Sequence, residues 1–125
     1  MHELSIACSL VEAAAQAAQQ HGATRVTRVH LKLGVLSGVD ADALRFSYDV
    51  AAQGTLLEGS QLEIDVLPAL ISCHQCGASC VLPTIQDFRC PACGAPSHRL
   101  LQGREIEIAH IEIEVNSVEE QATTS

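Results

Sequence analysis

Cys73-His74-Gln75-Cys76-Gly77 and, after a loop, Cys90-Pro91-Ala92-Cys93-Gly94 form the stretch around which the chain is organised. The spacing is Cys-x2-Cys, thirteen intervening residues (Gly77–Arg89), and Cys-x2-Cys again. Two residues between thiolates let both sulfurs of a pair reach one ion. Two such pairs give the four soft ligands of a tetrahedral site, which suits zinc. A glycine after each pair tolerates the tight backbone that turns N–H groups toward sulfur. The pattern predicts a structural zinc held by Cys73, Cys76, Cys90 and Cys93. A disulfide framework is disfavoured, because all the cysteines but Cys8 crowd into one short loop and no secretory signal precedes them. A thioredoxin-like pair would need only one Cys-x2-Cys, at a helix start. A rubredoxin-type iron site uses the same two knuckles, but such carriers shield the metal with aromatics. Only Phe88 is nearby, in a chain with two Phe, one Tyr and no Trp. Cys80 reads as a spare thiol in the loop. His74 and His98 read as neighbours of the site rather than ligands.

The chain has 125 residues, enough for one modest domain or a small domain with an insert. Aromatic residues are scarce, so Ala, Val, Leu and Ile must build the core. The formal charge of −8 would become about −10 with four thiolates and a divalent ion. That argues against nucleic acid, since phosphate binding needs a basic face. No apolar run is long enough to span a membrane, so no membrane partner is expected. Reduced cysteines and the lack of a targeting segment point to the cytoplasm.

Outside the knuckles the patterning alternates between helix and strand. Residues 3–20 read as an amphipathic helix with Leu4, Ala7, Cys8, Val11, Ala14, Ala15 and Ala18 on its apolar stripe. Residues 24–36 read as a strand: Val29, Leu31, Leu33 and Val35 face one way, and Arg28, a solvated His30 and Lys32 the other. Asp40 looks like the N-cap of a second helix over 41–53, with Ala41, Leu44, Tyr48, Ala51 and Ala52 inward. Further strands follow at 61–67 and 105–115. In the last, Ile106 and Ile108 have one parity and Ile111, Ile113 and Val115 the other, which a β-bulge near Ala109–His110 would reconcile. The predicted class is α+β: a three-stranded sheet with two helices on one face, and a zinc-ribbon-like module inserted between strands two and three. Residues 1–70 with 103–116 would form the α+β domain, 71–102 the zinc module, and 117–125 a flexible tail. The insert is too small for its own hydrophobic core, so the metal must supply much of its folding free energy.

Met1-His2-Glu3 stands directly before the first helix. The Met1 amine, the His2 amide nitrogen and the His2 imidazole can close adjacent chelate rings on one cation. Glu3 adds an amide and a carboxylate. Nitrogen-rich planar sets suit Ni(II) or Cu(II) better than zinc. Set against this is a frayed terminus with an incidental histidine.

Taken together, Met1-His2-Glu3-Leu4-Ser5-Ile6, the Gly34–Asp40 segment and the paired knuckles resemble the HypA/HybF family of hydrogenase nickel-incorporation proteins. The resemblance covers about residues 1–116. It implies a nickel metallochaperone, not an enzyme, with a structural zinc, acting in maturation of NiFe hydrogenase. It also implies a nickel site at His2 and Glu3 with the Met1 amine, Asp40 as an optional ligand, and zinc ligands at Cys73, Cys76, Cys90 and Cys93. The implied partners are a HypB-type GTPase and the hydrogenase large subunit. Service to urease and the oligomeric state, a homodimer included, stay open. The alternative functions are a zinc-ribbon protein-interaction module without nickel and a one-iron electron carrier.

Overall fold

A computed structural model describes residues 2–82, 89–95 and 98–115, the His98 side chain excepted. The elements run α1 (His2–Gln20), β1 (Ala23–Gly34), α2 (Ala41–Ala52), β2 (Gln61–Leu67), β3 (Leu70–Cys73), β4 (Ser79–Val81), β5 (His98–Gln102) and β6 (Ile106–Val115). They form two three-stranded sheets, ordered β2-β1-β6 and β4-β3-β5. The residues cluster into two compact units. One is drawn from Met1–Leu31, Asp40–Ile64 and Ile108–Ser125, the other from Lys32–Val39 and Asp65–Glu107.

In the first unit α1 packs against α2. The buried face of α1 is Ala7, Leu10, Val11, Ala14 and Ala18. Three alanines there let the helix axes approach closely. The predicted stripe is therefore rotated: Leu10 belongs to it, and Cys8 is exposed. At 100° per residue, Cys8 lies about 100° from the centre of the buried set. α2 buries Leu44, Tyr48 and Ala52, as its spacing predicted. The Tyr48 hydroxyl lies 2.6 Å from Ser60 Oγ, so this core aromatic keeps a hydrogen-bond partner. β1 buries Val26, Val29 and Leu31 in this unit, and its Leu33, also buried, falls in the second. Along β6, Ile108 and then Ile111 and Ile113 are half-buried, so the inward parity does change within the strand. His30 departs from the solvated residue expected. Its ring stacks on His110 with centroids 3.9 Å apart, and its Nε2 is 2.8 Å from Glu112 Oε2.

In the second unit the insert holds more regular structure than a metal loop. β3 pairs antiparallel with both β4 and β5, placing Ile71 opposite Cys80 on one side and Leu100 on the other. Strands of three to five residues are too short for alternation to be legible in the sequence. Cys80 is consequently a half-buried strand residue, not a loop thiol; it packs on a small cluster of Ala69, Ile71, Cys73, Leu82, Cys90 and Ala95. Burial pushes the Cys80 thiol pKa up.

Three backbone hydrogen bonds hold the end of β1 and the two residues after it. Gly34 N–H donates to Glu105 O (2.8 Å), Val35 N–H to Leu67 O (2.9 Å) and Leu36 N–H to Gly103 O (2.6 Å). A Cβ on Gly34 would lie 2.1 Å from the Gly103 carbonyl carbon and oxygen. No flexible side chain stands there to move aside. Gly34→Ala should therefore destabilise the protein by about 3 kcal/mol, at the upper end of overpacking costs. Thermal or denaturant unfolding checks this, and an unchanged midpoint would show that the two backbones can part freely.

Candidate metal centres

Each Cys-x2-Cys pair folds into the same knuckle. Cys73 N–H donates to Ala78 O and Gly77 N–H to Cys73 O, at 2.9 and 3.0 Å. Cys90 N–H donates to Ala95 O and Gly94 N–H to Cys90 O, at 2.9 and 2.7 Å. The final glycines take φ of 72° and 77°, the left-handed turn that the repeated glycine predicted. The first cysteine of each knuckle is buried and the second exposed.

The two knuckles bring Cys73 Sγ within 3.5 Å of Cys93 Sγ and Cys76 Sγ within 3.8 Å of Cys90 Sγ. All four sulfurs lie within 4.8 Å of one another. These separations are far beyond a disulfide bond of about 2.05 Å. They match the roughly 3.8 Å edge of a tetrahedron with metal–sulfur bonds of about 2.3 Å. The donor set and its spacing fit a structural zinc.

The backbone prepares the sulfurs unequally. N–H groups of Cys76 and Gln75 lower the Cys73 thiol pKa. Those of Cys93 and Ala92 bring Cys90 down to about 6. The N–H of Ala95 pulls Cys93 down, but hydrogen bonding with Cys73, Cys90 and Cys76, together with burial, outweighs it and pushes Cys93 up to about 12. Four crowded thiols cannot all ionise without a cation among them; a divalent ion removes that conflict and releases the protons. His74 is exposed. The His98 side chain and Phe88 lie outside the described residues.

His2 and Glu3 occupy the first turn of α1, and Asp40 stands at the N-cap of α2. His2 opens α1, and its Nε2 lies 3.7 Å from Glu3 Oε2. That same carboxylate oxygen is 3.4 Å from the backbone nitrogen of Asp40. The N–H groups of Glu3 itself and of Asp40 hold the Glu3 carboxyl below the usual carboxylate range. Asp40 caps α2 as predicted, its Oδ1 accepting from Asp42 N–H (2.9 Å) and Ala43 N–H (3.1 Å). Met1 lies outside the described residues. Sequence reading did not find a third group, His30, His110 and Glu112, whose ligand atoms also lie within 4.8 Å of one another.

An α+β fold with a tetrathiolate module of zinc-ribbon type defines a metal-handling protein. Residues 1–113 match the family described as "Hydrogenase/urease nickel incorporation, metallochaperone, hypA". The chain is 52% identical over 123 residues to the hydrogenase maturation factor HypA of Roseiflexus sp. (strain RS-1), covering 98% of this chain and all of that one. It is 44% identical over 115 residues to HybF of Salmonella typhimurium, covering 91% and 100%. The fold is similar to the solution structure of the Ni metallochaperone HypA from Helicobacter pylori, with TM-score 0.65 and 19% identity over 91% of this chain and 98% of that one. The chain belongs to the HypA family of nickel-incorporation metallochaperones. Membership disfavours both a bare interaction module and an iron electron carrier.

Proposed function

We propose that this chain carries Ni(II) on its N-terminal residues and passes it to a NiFe hydrogenase under maturation, without catalysing a reaction itself. His2 and Glu3 hold the cargo, with the Met1 amine as a further donor and Asp40 as an optional one. Cys73, Cys76, Cys90 and Cys93 hold a structural zinc. In this division of labour residues 1–70 with 103–116 form the nickel domain and 71–102 the zinc module. It follows the ligands rather than the contact clusters. The observation that carries the reading is the Glu3 carboxylate, which lies close to both the His2 ring and the Asp40 backbone.

The position of these residues in a helix supports it. The first four N–H groups of a helix have no partner within it. A metal can therefore take the amide nitrogens of His2 and Glu3 without breaking a helical hydrogen bond. The helix dipole also favours the negative charge left on a deprotonated amide there. In a titration of the zinc-loaded chain, Ni(II) should bind as one tight equivalent, and His2→Ala should abolish that tight binding while keeping the zinc. A His2→Ala chain with native nickel affinity would overturn the assignment.

The partner is a HypB-type GTPase, with the hydrogenase large subunit as final acceptor. Transfer needs donor and acceptor ligands to approach closely, so docking belongs beside Glu3. A cleft of about 360 Å³ lies there, lined by Glu3, Leu4, Ala43, Phe46, Ser47 and Val50. Phe46 is 73% exposed on its rim, an apolar anchor of the kind that dominates interfaces. Phe46→Glu should weaken GTPase binding at least about ten-fold and leave nickel binding intact. Unchanged affinity by calorimetry would place docking elsewhere.

A further inference from the structure

The third group, His30, His110 and Glu112, shares no residue with either site described above. His110 and Glu112 are two residues apart on β6, so they project from one face of the strand. β1 is the neighbouring strand and presents His30 to them. Side chains directly across two strands start only about 5 Å apart. Here the His30 and His110 rings are stacked at an interplanar angle of 22°, and the Glu112 carboxylate meets His30 Nε2 at 2.8 Å. Arg28 Nη1 approaches the same carboxylate oxygen at 4.0 Å. His30 is 28% exposed and Glu112 48%, so the group is supported from beneath and open above.

We propose that His30, His110 and Glu112 form a second, exchangeable site for a borderline divalent cation such as Zn(II). Two imidazoles and one carboxylate are a ligand set such ions accept. Bonds of about 2.0–2.2 Å from nitrogen and oxygen need ligand atoms roughly 3.3 Å apart, and rotation of the two rings out of their stack supplies the adjustment. The ion takes the place of the proton in the His30–Glu112 hydrogen bond, which is released to solvent, so both atoms become ligands. Three protein ligands leave coordination positions open to solvent or to a donor on another molecule, unlike the closed tetrathiolate. Arg28 opposes the ion by its charge and competes with it for Glu112. This inference does not rest on the nickel reading.

The test uses the full chain with zinc in the cysteine module and His2→Ala to silence the N-terminus. Titration with Zn(II) against a competing indicator should reveal one additional equivalent, and the ring proton signals of His30 and His110 should shift as it fills. His110→Ala and Glu112→Gln, both at exposed positions, should each weaken it at least about ten-fold. Arg28→Gln should tighten it by roughly five-fold, the Coulomb effect of one charge about 4 Å away in water. That sign is not expected if the cluster only braces the sheet. Absence of the extra equivalent, filling that leaves both ring signals unmoved, or His110→Ala binding as the parent does would overturn the proposal.

Discussion

Cys90→Ala should strip zinc from the protein and unfold the second sheet. Among the described residues, the cluster beneath the knuckles buries two large aliphatic side chains, Ile71 and Leu82, beside Ala69, Ala95, Cys73 and Cys90, with Val35, Leu36, Cys80 and Leu100 half-buried against it. A core of that size does not hold a fold by itself. Structural zinc in small modules contributes roughly 10–16 kcal/mol, far more than these contacts supply. Cys90 is the buried cysteine of its knuckle, and its amide and carbonyl carry the hydrogen bonds to Ala95 and Gly94. Metal content should fall from one zinc per chain toward none. Amide exchange should show protection lost along β3 and β5 but retained in α1 and α2, whose core of Leu10, Val11, Leu44 and Tyr48 contains no metal ligand. Zinc retained by the variant, or β3 still protected, would refute the ligand assignment.

Fusing residues ahead of Met1 should cost the protein its tight nickel binding as completely as removing the His2 ring. In the proposed site, an extension converts the Met1 amine into an amide and ends the run of adjacent chelate rings on Met1 and His2. It leaves the imidazole, Glu3 and the cysteines in place, so it separates a chelate built on the terminus from a site made of side chains only. The extended chain should keep its zinc, lose the absorption bands of planar nitrogen-ligated Ni(II), and regain both after a protease restores the native start. Full nickel affinity in the extended chain would put the cargo on side chains alone.

Much of this was legible in the sequence because its signals are local. Cys-x2-Cys followed by glycine specifies a knuckle within five residues, and both knuckles form with matching hydrogen bonds. Asp40 ahead of an apolar periodicity specified a cap, and it caps α2. Alternation in β1 was long enough to count. What escaped was non-local or too short. β4 is three residues long and is defined by its pairing with β3. Cys8 sat at the margin of a stripe that several alanines left ill-defined. The His30–His110–Glu112 group depends on which strand neighbours β1, and its partners are some eighty residues apart in the chain. No pattern within a window carries that information.

The contact beside Gly103 bears on how the zinc module can be edited. A Cβ on Gly103 would stand 3.1 Å from Ala69 Cα, so the chain leaves for the module and returns from it through a single gap. Val35 N–H donates to Leu67 O at 2.9 Å and Leu36 N–H to Gly103 O at 2.6 Å, so both sides of that gap are fastened by residues outside the module. For a loop whose ends already meet, added length costs closure entropy only logarithmically, about 0.6 kcal/mol per doubling. The gap is thus a splice point. A different metal ribbon, or a short turn, could be grafted between Ala69 and Gly103 without asking either flanking strand to move.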